Sequence, residues 1–203
     1  LMDDLAVFLE QTRSFYPQNS YFLFGHSMGG NLVLNFVFRY YPQLKGVIVT
    51  SPWLRLVHEL SFFRHLYAWF LAKFYPEYTR PSGQNPEILT RDKERLVEII
   101  NDPFGHNLIS ARLYINMYQA GRWILKNTHS LNCPLLLMHG TNDQLTSYQA
   151  TKELAQKLGN ECTLKLWESF FHELHNEIGR EQVFDFIIAW IRKYSESGKI
   201  KEG

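Results

Sequence analysis

Three short stretches of the chain hold the side chains that could together run acyl transfer. Gly25-His26-Ser27-Met28-Gly29 places a serine between glycines, where a buried strand is expected to turn sharply into a helix. Such a turn lifts the hydroxyl above the sheet, and the helix start aims backbone N–H groups at a developing oxyanion. The positions flanking so tight a turn are expected to tolerate little beyond glycine. A serine hydroxyl needs a base to take its proton, and the base needs an acid to orient it. Asp143, in His139-Gly140-Thr141-Asn142-Asp143, leaves a later strand at the end where catalytic groups of parallel sheets collect. His172, in Ser169-Phe170-Phe171-His172-Glu173-Leu174-His175, follows the next strand. The expected set is Ser27 as nucleophile, His172 as base and Asp143 as orienting acid.

His175 competes with His172 for the base. It lies about one turn further from the strand end, so a packing or capping role is expected. His-Glu-Leu-His is not a zinc helix, which needs histidines four apart and a third ligand. No metal and no cofactor are expected. His26 and His139 are expected to be scaffold histidines, and no chemistry is assigned to His58, His65, His106 or His129.

These groups need a scaffold that brings strand ends together. Residues 2–15 place Leu5, Phe8, Leu9 and Thr12 at helical spacing with acids in the first turn. Residues 20–25 and 46–50 are short apolar runs of the kind buried on both faces of a sheet. A helix is expected over 28–41, strands near 134–140 and over 162–167, and helices over about 147–158 and 177–194. Strands alternating with helices predict a parallel sheet with right-handed crossovers.

The second and third strands are separated by far more than the 10–15 or so residues of a crossover helix. Helical patterns fall at about 60–75, 90–101 and 108–126, with Pro and Gly breaks between them. The fold expected is α/β, a parallel sheet with flanking helices and a helical cap inserted after the strand that follows the serine turn. Residues 1–52 and 131–203 form the core, and 53–130 the cap.

Composition narrows the function. Twenty-one Lys and Arg against 20 Asp and Glu give a net charge of +1, and no basic run is longer than two residues, Lys199 and Lys201 in the tail included. That balance gives no electrostatic case for nucleic acid. Two cysteines, Cys133 and Cys162, exclude a disulfide-built scaffold and a thiolate zinc cluster. They open the third and fourth strands at similar depth, where a disulfide would be within reach, and buried free thiols are expected in a cytoplasmic enzyme. The stretch from Arg13 to Arg39 has no charge between its ends, but Pro17, Gln18, Asn19, His26, Asn31 and Asn35 interrupt it, so no membrane span is expected. No signal-peptide pattern precedes the first helix, and a cytoplasmic location is expected, peripheral to membrane at most.

GHSMGG, HGTNDQLTS and SFFHELHNE together resemble the monoacylglycerol lipase and lysophospholipase branch of the α/β-hydrolases. The segments LTRD at 89–92 and SARLYINMYQAG at 110–121 are similar to the cap of that branch, and the likeness runs from about residue 2 to 194. The chain order Ser27, Asp143, His172 is the order of that fold. The resemblance implies the triad roles given above and makes the Met28 backbone N–H one oxyanion donor. In that family the serine motif follows the first strands of the sheet, whereas here it comes at residue 27. The segment that should supply the second oxyanion donor is therefore expected upstream of Leu1.

The resemblance implies cleavage of acylglycerol or lysophospholipid esters through an acyl-enzyme. The alternatives are a related serine aminopeptidase or other esterase, and an impaired or non-catalytic fragment. An aminopeptidase is expected to place cap carboxylates around a substrate amine, and residues 53–80 offer only Glu59 and Glu77. The same stretch is rich in aromatics, which spread over a wide arc of the 60–75 helix. That arc is expected either to pack on the sheet and neighbouring cap helices or, in part, to line an acyl-chain channel or touch lipid, with Phe70 and Phe74 as substrate contacts beside His26 and Leu145. Partners expected are a small lipid ester and a transient lipid surface, with no nucleic acid; no oligomeric state is implied. The serine-bearing strand is expected at or near a sheet edge, leaving Leu5, Phe8 and Leu9 partly exposed and the chain prone to self-association.

Overall fold

A computed structural model describes residues 1–196; Lys199 and Lys201 lie outside the described residues. Helix α1 (Met2–Phe15) leads to strand β1 (Phe22–His26), helix α2 (Met28–Tyr40) and strand β2 (Gly46–Thr50). After the long insertion come β5 (Leu135–Gly140), α6 (Tyr148–Leu158), β6 (Cys162–Trp167) and α7 (Arg180–Glu196). The four strands make one parallel sheet in the order β1-β2-β5-β6. Among the described residues, β1 pairs only with β2 and is therefore an edge.

The apolar strands are buried because both faces of the sheet are covered. Val47 and Val49 of β2 and Leu135 and Leu137 of β5 point to one side, where they pack with α1, α2 and α6. Ile48, Leu136 and Met138 point to the other side and meet Val183 and Trp190 of α7. This period of two sends one apolar run into two cores. Asn31 and Asn35 of α2 interrupt the apolar run yet are fully used. Asn31 Nδ2 donates to the carbonyls of Trp53 at 2.6 Å and Met117 at 3.2 Å, and Asn35 Nδ2 donates to Asn31. Leu9 departs from expectation. It is buried against the α2 core, while Leu5 is half-buried and Phe8 is exposed.

The insertion carries α3 (Phe62–Phe74), β3 (Thr79–Pro81), α4 (Lys93–Asn101), β4 (Leu108–Ser110) and α5 (Ala111–Lys126). β3 and β4 form a small antiparallel pair where the sequence pattern suggests only helix and breaks. Three-residue strands, one ending in Pro81, carry too little periodicity to read. Helix α3 turns Ala68 and Ala72 toward Trp53, Tyr114, Ile115 and Met117 and buries Leu71. Small residues let α3 and α5 approach closely, and the aromatic arc of α3 is left facing outward. The Leu56–Thr146 bridge and the Val57 N–H bond to the Leu145 carbonyl join the insertion to the loop after β5. No helix among the described residues is long and apolar enough to cross a membrane.

Candidate active site

β1 ends at His26 and α2 begins at Met28, so Ser27 occupies the whole turn. Its backbone is at φ 53°, ψ −115°, a conformation that costs a non-glycine residue about 1–3 kcal/mol. Neighbours hold it there. Ser27 N–H donates to the Thr50 carbonyl at 3.0 Å, and the Ser27 carbonyl accepts from Asn31 N–H at 3.1 Å and Trp53 N–H at 3.0 Å. A Cβ on Gly25 would lie 2.6 Å from the Gly29 carbonyl oxygen, which requires glycine there. Gly29 is different. A Cβ at that position meets nothing within 4 Å, while one on Gly30 would lie 2.9 Å from Val49. Of the two glycines that flank the serine in the motif, only Gly25 is crowded; the second crowded glycine of this turn is Gly30.

His172 Nε2 lies 2.9 Å from Ser27 Oγ, and His172 Nδ1 lies 2.7 Å from Asp143 Oδ2. Asp143 accepts only, so it fixes the Nδ1–H tautomer of His172 and leaves Nε2 free to take the serine proton. His172 and Asp143 are both buried, and Ser27 is half-buried. Gly140 lets the histidine loop pass, since a Cβ there would lie 2.3 Å from the Phe170 carbonyl oxygen. The structure thus brings Ser27, His172 and Asp143 together. His175 points elsewhere: its ring packs on His26, with centroids 4.8 Å apart, and its Nδ1 has no partner among the described residues.

Asp143 holds more partners than sequence suggests. Oδ1 accepts the Leu145 and Thr146 backbone N–H groups at 2.7 and 2.9 Å. Oδ2 accepts from Thr146 Oγ1 at 2.8 Å and from His139 Nε2 at 3.0 Å, besides His172. Burial pushes this carboxyl up, but the hydrogen bonds from His139 and His172 outweigh it and hold the acid far below the usual carboxylate range. His139 was expected to be scaffold alone, yet it orients the acid while Thr151 Oγ1 engages its Nδ1 at 2.7 Å. Its spacing four before Asp143 is the one signal in the sequence. His26 meets Thr50 Oγ1 at 2.9 Å and packs its ring against His172, tilted by 55° with centroids 4.8 Å apart. Burial first, then the neighbouring histidines, keep it well below the usual imidazole range and therefore neutral.

A cavity of about 720 Å³ opens above Ser27, walled by Met28, Trp53, Leu56, Leu89, Ile109, Leu113 and Leu145 among others. A neighbouring cavity of about 590 Å³ does not reach Ser27 but shares Trp53, Leu56, Ile109 and Leu145 with it. Leu145 therefore lines both. Phe70 and Phe74 line neither; they face outward and pack on one another with centroids 4.8 Å apart. Their place in the wall is taken by Tyr67, Ala68 and Leu71, on the α3 face turned to α5. His26 likewise lies behind His172 and outside both cavity walls. Met28, as the first residue of α2, has a backbone N–H without a helical acceptor and lines the serine cavity. No cluster of His, Cys, Asp or Glu among the described residues could hold a metal ion.

Residues 1–179 match the family described as serine aminopeptidase, S33. The putative monoglyceride lipase of Schizosaccharomyces pombe is 29% identical over 86% of this chain. The phospholipase YtpA of Bacillus subtilis is 26% identical over 95%. The chain spans 48% of the first protein's length and 75% of the second's. Among solved structures, the monoacylglycerol lipase of Paleococcus ferrophilus superposes with a TM-score of 0.87 at 24% identity, covering 95% of this chain and 74% of that one. That likeness fixes the α/β-hydrolase fold.

Proposed function

The chain belongs to the serine aminopeptidase S33 family of α/β-hydrolases, and from that premise we propose that it is a serine hydrolase of acylglycerol or lysophospholipid esters. One observation carries the reading: Ser27 Oγ, His172 Nε2, His172 Nδ1 and Asp143 Oδ2 form a continuous chain at 2.9 and 2.7 Å beneath an apolar cavity. The names of the two relatives, a putative monoglyceride lipase and a phospholipase, support the same substrate class.

His172 Nε2 takes the Ser27 proton as Oγ attacks the ester carbonyl. The oxyanion forms against the N-terminal end of α2, where the Met28 N–H donates. The same proton then passes from His172 to the leaving glycerol or glycerophosphoryl oxygen, which leaves an acyl-serine. Water repeats the sequence: His172 takes its proton, hydroxide adds to the acyl carbon, and Ser27 departs reprotonated with release of the fatty acid. Asp143 stabilises the imidazolium in both halves and stays ionised.

The walls favour an acyl chain. Neither cavity is lined by Asp or Glu among the described residues, so nothing there holds the amine of an aminopeptidase substrate. The outward aromatics of α3, including Phe62, Phe63 and Phe70, would rest transiently on a lipid surface from the cytoplasmic side. Monooleoylglycerol, lysophosphatidylcholine and an aminoacyl anilide supplied to the wild-type chain and to Ser27→Ala test the reading. Fatty-acid release lost in Ser27→Ala, by about 10⁶ in kcat, is the expected result. Anilide cleavage without fatty-acid release would favour the peptidase, and no turnover by folded protein would favour a non-catalytic fragment.

A further inference from the structure

Three consecutive residues around His172 are pinned through their backbones from different directions. Phe171 N–H donates to Glu177 Oε1 at 3.2 Å, the His172 carbonyl accepts from Ser51 Oγ at 2.7 Å, and Glu173 N–H donates to the Leu89 carbonyl at 2.8 Å. Leu89 belongs to the inserted cap and also walls the cavity above Ser27. The base is therefore held in part by the cap.

Glu177 stands at the centre of this joint. Its side chain is fully buried, and every contact of its carboxylate reaches the cap or the histidine loop. Oε1 accepts the Arg91 backbone N–H at 2.9 Å as well as Phe171 N–H, while Oε2 accepts Arg91 Nε at 2.7 Å. Around it, Thr90 Oγ1 donates to the Asn176 carbonyl at 2.7 Å, and Arg180 reaches Asp92 at 3.3 Å. The Arg91 guanidinium also lies 5.1 Å above the ring of Phe170. A buried carboxylate facing three donors is stable only with all of them present.

We propose that Glu177 is a positioning residue that couples cap residues 89–92 to His172, so that the base is aligned with Ser27 and Asp143 only while the cap is docked. This rests on the reading of Ser27 and His172 as nucleophile and base, but its geometry can be tested apart from turnover. Glu177 touches neither the cavity nor the reacting atoms; it acts through the backbone of Phe171. Gln at 177 would turn an NH₂ group toward a donor and lose the charge facing Arg91. The 171–173 backbone would then be free to shift, and a misplacement of about 1 Å costs about 10²-fold in rate.

The test uses Glu177→Gln in the full chain, with Arg91→Ala as the second variant should the first fail to fold. One readout is kcat and KM on a short and a long ester; the other is the ring ¹⁵N spectrum of His172, which reports its tautomer whether or not ester is cleaved. Expected for the folded variant are a fall in kcat of about 10²-fold on both esters, KM within about 2-fold, and partial loss of the pure Nδ1–H form. Wild-type kcat and an unchanged tautomer in a folded variant overturn the proposal. If the wild-type chain cleaves no ester, the functional reading fails, and the tautomer comparison alone decides the role of Glu177.

Discussion

His139 Nε2 lies 3.0 Å from Asp143 Oδ2, the same oxygen that His172 Nδ1 reaches at 2.7 Å. Two histidines thus share one acceptor, and only one of them faces the nucleophile. Asp143 must be an acceptor on both sides for the arrangement to hold. Asn at 143 would present an amide N–H to one imidazole and disturb both. Asp143→Asn is expected to lower ester turnover about 10⁴-fold while leaving thermal unfolding cooperative. His139→Phe keeps an aromatic ring but strands the Thr151 hydroxyl and removes a donor from Asp143, and is expected to destabilise by about 1–3 kcal/mol in urea titration.

Stability should fall as pH drops. His26 and His175 are both held below the ordinary 6.5, by burial above all, so the unfolded chain binds protons first once pH passes below that value. Their contribution is complete above about pH 6.5 and lost on the way down to the folded values, at no more than about 1.4 kcal/mol per pH unit for His26. Asp143 adds a second loss, which begins only below its ordinary 3.8 because its folded value is lower still. Urea midpoints at pH 5, 6 and 7.5 should rise in that order, and His26→Gln should flatten the rise. Equal midpoints would show that these imidazoles titrate alike in the folded and the unfolded chain.

Cavity walls separate acyl-length selectivity from surface aromatics. Leu145 lines both cavities, whereas Phe70 and Phe74 line neither. Leu145→Ala is expected to lose about 1–3 kcal/mol of kcat/KM on a long-chain ester beyond any loss on acetate. Phe70→Ala is expected to change monomeric long and short esters alike. The reverse pattern in kcat/KM would place the acyl path on the outer face of α3.

The edge at β1 predicts behaviour of the 203-residue chain in solution. Phe24, on that strand, is 49% exposed, and Phe8 and Phe15 of α1 are exposed on the neighbouring helix. An unpaired apolar edge templates pairing with a second chain. Sedimentation velocity should show association that grows with concentration, and Phe24→Lys should reduce it. A wild-type monomer at all concentrations would contradict the prediction.

Much of this was legible because strand ends in a parallel sheet converge on one side, so Ser27, Asp143 and His172 could be placed together from their positions after strands. What stayed hidden depends on which side chain meets which in three dimensions. Nothing in the periodicity says that Gly30, rather than Gly29, is the glycine pressed against β2. The wide aromatic arc of α3 was readable, but its direction was set by Ala68 and Ala72, whose small size permits the α5 contact. Nothing in the sequence marks Glu177 as a joint, because its partner Arg91 lies in the cap, far away in sequence.

Covalent labelling with a fluorophosphonate, mapped to the modified peptide, tests the central assignment most directly. The account predicts one adduct, on Ser27, formed by the wild-type chain and by His175→Ala and lost in Ser27→Ala and His172→Ala. Folded wild-type protein that stays unlabelled, or labelling that survives His172→Ala and disappears in His175→Ala, would contradict it.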